Sequence, residues 1–109
     1  MRAALLTLAL LCGSAHADFK DGNKLLADMN DSSYVSSGIV LGYLMGIVDT
    51  LGGTTHCAPE SVTAGQVRDM VKKYLDNNPS VRHFPASMIV GHVLKSTWPC
   101  QQKGGGKQL

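Results

Sequence analysis

Three groups of side chains in this chain have types that could do chemistry: the histidines, two carboxylates in unusual surroundings, and the cysteines. Beyond the leader described below, the histidines are His56, His83 and His92. None has a second histidine four residues away or a Cys-x-x-Cys neighbour, the spacings that would bring zinc ligands together. Asp49 stands at the end of an apolar run and Glu60 in a polar segment. General acid-base catalysis would need such groups held across a substrate, but Asp49 reads more simply as a helix-end residue and Glu60 as a loop charge. Serines are plentiful, yet no Gly-x-Ser-x-Gly elbow raises one to a nucleophile. The residues therefore predict no catalytic set, no metal ligands and no cofactor. They predict a non-enzyme that works by binding.

The cysteines need a compartment before they can be read. Met1-Arg2, the apolar run Ala3 to Cys12 and the segment Ser14-Ala15-His16-Ala17 have the three parts of a secretory signal peptide, with cleavage expected after Ala17. The apolar run is far shorter than the roughly 20 residues of a membrane-spanning helix. Leu11 precedes Cys12 where a lipid-modification signal needs a small residue, which speaks against a lipoprotein. The mature chain, Asp18 to Leu109, is then about 90 residues, one domain with a modest core. It keeps Cys57 and Cys100, and an even pair in an exported chain reads as one disulfide. Closing a loop of about 44 residues is worth roughly 4 kcal/mol in the chain-entropy account. Spacing alone does not bring the two sulfurs together.

Loss of Arg2 with the leader leaves nine Lys/Arg against eight Asp/Glu. A nearly neutral chain without a basic run or aromatic-basic interleaving lacks what a nucleic-acid surface requires.

The elements that must position these residues are all helical. Phe19, Gly22, Leu25, Leu26 and Met29 predict a first helix ending near Asn30-Asp31. Ser32 or Ser33 can cap a second helix from about Tyr34 to Leu51, stopped by Gly52-Gly53. Thr63 and Gln66 form a capping box for a third helix, whose apolar stripe is Val67, Met70, Val71, Tyr74 and Leu75. Its other face carries Arg68, Asp69, Lys72, Lys73 and Asp76, and Asn77-Asn78-Pro79 ends it. After the turn Ser80 to Phe84, Pro85 suits a first helical position, and Ala86, Ile89, Val90, Val93, Leu94 and Trp98 make the stripe of a fourth helix. The tail QQKGGGKQL, 101 to 109, is expected to be disordered. No segment alternates with period two. The fold class predicted is all-α: a bundle of about four helices braced by one disulfide.

The stretch GIVLGYLMGIVDTLGG in the second helix sets Gly38, Gly42 and Gly46 on one stripe, with Asp49 in it near Gly38. Apolar residues fill the rest of the wheel, as in a helix at the centre of a bundle or at an oligomer interface. Its uncharged core, Ile39 to Val48, is too short to span a membrane. The three glycines are expected to admit a neighbouring backbone, from the same chain or from a second subunit.

These strings resemble a known family. LGYLMGIVD at 41 to 49, CAPESVTAGQVRDMVKKYLDNNPSVRHFPAS at 57 to 87 and TWPC at 97 to 100 are similar to the Rap/Tai family, periplasmic immunity proteins that neutralise peptidoglycan amidases delivered by type VI secretion. The resemblance covers about Asp18 to Cys100. It implies an all-helical fold, a periplasmic location, frequent homodimerisation, and inhibition by a surface that plugs the amidase groove. Many members carry a further cysteine pair in the N-terminal helices, where this chain has Asp31, Ser36 and Ser37 around the corresponding positions.

Candidate contacts for a protein toxin are the loop Thr54 to Ser61 and the turn Ser80 to Phe84, where Glu60, Arg82, His83 and Phe84 can present charge and an aromatic ring. Arg82 and His83 have an alternative use as caps of the third helix, and Phe84 as a staple of the fourth. A small helical stress chaperone of the envelope is the competing reading. It would need carboxylates at a dimer contact that loosen in acid, and the dense charge expected of such a protein is missing. An envelope exclusion factor is a third possibility, for which no motif stands in the chain.

Overall fold

The computed structural model describes residues 19–101, and the predicted leader and all of the predicted tail beyond Gln101 lie outside them. Four helices follow one another: α1 (Gly22–Asn30), α2 (Tyr34–Leu51), α3 (Ala64–Asn77) and α4 (Ala86–Thr97), with a single 3-10 turn at Pro79–Val81 before α4. No strand occurs among the described residues, only isolated bridges between Asp21 and Pro85 and between Gly52 and His56.

Local chemistry sets the helix starts. Asp21 caps α1 by accepting from the Lys24 amide, and Ser33 caps α2 by accepting from Ser36. Thr63 and Gln66 close the predicted capping box on α3, the side chain of each bonded to the backbone amide of the other. Pro85 stands one position outside α4, with extended ψ, rather than as its first residue. The amide of Ala86 then donates to the Lys20 carbonyl at 2.8 Å, so the start of α4 is held by the segment before α1.

The core is Leu25 and Met29 of α1, Val40 and Leu44 of α2, Val67, Val71 and Leu75 of α3, and Ala86, Ile89, Val90, Val93 and Leu94 of α4. Each fully buried leucine or valine is worth about 1.5–3 kcal/mol against an exposed one, so this small set carries most of the folding energy. Gly22 is needed for the packing of α1: a Cβ there would stand 2.6 Å from Ile89 Cδ1 and 2.8 Å from the Arg82 carbonyl oxygen. Phe19 departs from the expected first stripe. It precedes the Asp21 cap, so it is not in helical register with Gly22 and Leu25, and it is 83% exposed.

Cys57 and Cys100 form the disulfide, with Cα atoms 4.8 Å apart. The bond from the Cys57 amide to the Trp98 carbonyl, 2.8 Å, holds the same two segments together. Beside it His56 is buried, its Nε2 donating to the Val48 carbonyl at 2.9 Å while Nδ1 accepts from the Ala58 amide at 3.1 Å. Both ring nitrogens are thereby occupied in closing the end of α2 onto the loop.

The glycine stripe corrects one expectation. α2 packs against all three other helices, but they lie on one side of it, around Val40 and Leu44. Gly38, Gly42 and Gly46 point the opposite way, and a Cβ built on any of them meets nothing within 4 Å. Within one copy of the chain the glycines admit no neighbouring helix, and α2 is not the enclosed centre of the bundle.

Candidate functional site

The turn after α3 is built from backbone bonds to α1. The Gly22 amide donates to the Phe84 carbonyl at 3.1 Å and the Asn23 amide to the Arg82 carbonyl at 3.0 Å. These contacts require the side-chain-free approach at Gly22. Arg82 is committed as well: its Nε donates to the Leu75 carbonyl at 2.6 Å and its Nη2 to the Asp76 carbonyl at 3.1 Å. A guanidinium on the last carbonyls of a helix satisfies acceptors that have no intrahelical donor and complements the negative end of the dipole. The Asn78 side chain adds a bond to the Tyr74 carbonyl at 2.8 Å.

The held turn presents His83 and Phe84, whose ring centroids are 4.2 Å apart. Phe84 is 44% exposed and does not disappear under α4 as a staple would. It borders a groove of about 230 Å³ between α3 and α4, lined by Tyr74, Val81, Phe84, Met88, Ile89 and His92. Tyr74 and His92 face each other across α3 and α4 with ring centroids 5.5 Å apart. Met88, 63% exposed, completes an apolar rim with Phe84. Met88 was not on the predicted stripe of α4; its signal in the sequence is an apolar residue beside Ile89, off the face that helical spacing assigns to the core.

The four toxin-contact candidates therefore do not form one patch. Arg82, His83 and Phe84 follow the C-terminal end of α3, while the exposed Glu60 precedes its N-terminal end. Fourteen helical residues put about 20 Å between those ends. Of the near group, His83 and Phe84 have faces to offer, whereas Arg82 is a cap. Among the described residues no three His, Cys, Asp or Glu side chains gather as metal ligands.

A second, larger groove of about 920 Å³ runs between α2 and α4, over Gly42, Tyr43, Gly46, Ile47, Met88 and Gly91. Burial pushes the Tyr43 phenol above its ordinary range, and a bond with the Ser87 backbone partly offsets this. The Lys20 ammonium lies 5.1 Å from the centre of the Tyr43 ring. The same ammonium bonds Asp28 at 2.6 Å, and Lys24 reaches the other oxygen of that carboxylate. The bonds from Lys20 and then Lys24 hold the Asp28 carboxyl below the usual carboxylate range.

No curated protein and no solved structure matches the chain. A family model does: that of the Rap1a immunity proteins, over residues 7–100, which takes in every element described above and both cysteines of the bridge. On that match, which spans most of its length, the chain belongs to the Rap1a immunity protein family.

Proposed function

We propose that the protein is a non-enzymatic periplasmic immunity protein, exported on a leader cleaved after Ala17, that binds and neutralises one cognate toxin. The toxin is a peptidoglycan amidase delivered by type VI secretion, and the inhibitor acts as a homodimer. The observation that carries the reading is the family match over residues 7–100. The contact surface is the turn that ends in His83 and Phe84, with Met88 and the groove between α3 and α4 beside it. Its support is physical: an aromatic exposed on a turn whose backbone is fixed from two sides, and a methionine exposed in the first turn of α4, lose little backbone freedom on binding.

The amidase chemistry belongs to the toxin, and the inhibitor needs only to cover the reacting groove with a preformed surface. Phe84 supplies the ring that can fill an apolar recess, Met88 adapts around it, and His83 gives a polar edge. Glu60, on the far side of α3, lies outside this surface.

The test is co-expression with exported amidases carried next to the gene, followed by affinity isolation and a lysis challenge. One amidase should co-purify and lose its lytic effect. Recovery of none, with lysis unaffected, would remove the reading.

A further inference from the structure

Most of the positive charge in this molecule is engaged. Seven lysines and arginines lie among the described residues. Lys20 and Lys24 share Asp28, Arg68 pairs with Asp69, and Lys72 pairs with Asp76. Arg82 caps the carbonyls at the end of α3. The other two are Lys73 and Lys95. Both are exposed, and among the described residues neither is paired with a carboxylate. Asp69 stands one turn before Lys73, the usual pairing position on a helix, but bonds Arg68 instead.

The two open ammonium groups belong to one face. Met88, His92 and Lys95 follow at i, i+4 and i+7 on the outward side of α4, and Phe84 leads into them. Lys95 borders the groove between α2 and α4. Lys73 borders a third groove, of about 360 Å³, on the other flank of α4 over Met70 and Tyr74. His92 borders both, and the groove beside Phe84 as well. Acid is missing from this face: no aspartate or glutamate borders any of the three grooves, and α4 contains none. Asp21, Asp31, Asp49 and Glu60, the described carboxylates outside ion pairs, stand elsewhere.

We propose that this face takes an acidic protein surface: the part of the cognate toxin that docks here carries aspartates or glutamates around an apolar ridge, and Lys73 and Lys95 draw it in. The inference rests on the immunity reading above and deepens it by naming the chemistry of the partner's surface. Phe84 and Met88 supply the apolar contact, and the lysines stand at its rim. Two cations with no carboxylate beside them produce a field that nothing on the same face cancels. Rim charges of this kind act chiefly on the rate and orientation of encounter and less on how long the complex lasts. An inhibitor that must reach a toxin before the wall is cut gains from that rate.

A purely structural use accounts for only half of the pattern. Lys95 lies in the last turn of α4, where a cation complements the negative end of the helix. Lys73 lies well before the end of α3 and has no such use. An anionic lipid surface fits poorly. Its recognition takes clusters of about four to eight lysines and arginines on one segment, and a flat bilayer does not enter grooves. A protein ridge does, and two rim cations suit it.

The experiment measures association and dissociation rates between the full chain, expressed with its own leader, and the exported amidase carried next to its gene. The wild-type association rate should fall about 10-fold or more between about 20 mM and about 500 mM sodium chloride. The double variant K73Q/K95Q should associate about 10-fold more slowly at low salt and lose most of that salt dependence, with its dissociation rate changed less than about 3-fold. The control S32E/S61E makes the same change in net charge at exposed positions off this face, and should associate within about 2-fold of wild type. Melting temperatures should agree within a few degrees, since neither lysine has a carboxylate partner to lose. An amidase that binds at rates indifferent to salt and to K73Q/K95Q would overturn the proposal and leave the immunity reading standing. Equal slowing by S32E/S61E would overturn it too, by tracing the effect to net charge. So would loss of binding to phosphatidylglycerol vesicles by K73Q/K95Q with amidase rates unchanged, which assigns the face to lipid. No amidase bound at any salt concentration would remove the immunity reading and this inference with it.

Discussion

At the scale of the residue, two glycines on helices make opposite demands. A methyl group on Gly22 would stand 2.8 Å and 2.9 Å from backbone atoms of Arg82, which cannot rotate away. Gly22→Ala should therefore lose about 1–3 kcal/mol in urea denaturation, despite alanine's better helix propensity. Gly65 has only the Thr63 hydroxyl at 3.9 Å, so Gly65→Ala should be neutral or gain up to about 1 kcal/mol in the same assay. Asp28 gives a pH signature. Its folded carboxyl is held below 3.8 by Lys20 and Lys24, so its contribution is present above that value and is lost as pH falls through the folded one. Asp28→Asn should be less stable than wild type at neutral pH by about 1 kcal/mol. The gap between their urea midpoints should close as pH falls below 3.8.

At the scale of the element, the turn after α3 separates holding from presenting. Arg82→Ala strips donors from the Leu75 and Asp76 carbonyls and should cost about 1.5–3 kcal/mol in thermal unfolding. Phe84→Ala and Met88→Ala should leave the melting temperature within a few degrees of wild type. Each should weaken binding of the cognate toxin by about 10-fold or more in calorimetry. Equal stability losses for all three, with binding unchanged, would move the contact elsewhere. These elements were largely legible in the sequence. The Thr63–Gln66 box, the Ser33 cap and the end of α3 rest on interactions within a few residues, and each has its partner close in the chain. What was not legible depends on tertiary placement. Periodicity marked the Gly38, Gly42 and Gly46 face as distinct but not which side of α2 the other helices occupy. Phe19 shared the spacing of the first stripe and lost its register to a cap two residues later. For Arg82 the sequence left capping and toxin contact open, and the direction of one long side chain decided between them.

For the whole molecule, the disulfide is the main reinforcement of a core that numbers twelve residues among those described. Replacing Cys57 and Cys100 by serine should cost up to roughly 4 kcal/mol in guanidinium unfolding, and reductant should bring wild type to the same midpoint. The residual hydrogen bond from Cys57 to Trp98 joins the same segments but is worth only about 1 kcal/mol.

The backbone bonds that join Lys20, Gly22 and Asn23 to residues 82–86 also govern the order in which the protein can be made. A ribosome or an export channel delivers the amino-terminal end first; α1 can pack on α2 and α3 as they follow, but its backbone bonds wait for residues 82–86, and Cys57 waits for Cys100, the last residue of the family match. Long-range closure of this kind slows folding relative to bundles whose neighbouring helices pair as they appear. A copy ending before Arg82 can still pack α1 on α2 and α3 but lacks these backbone bonds and the disulfide, so a protease should cleave it faster than the full chain.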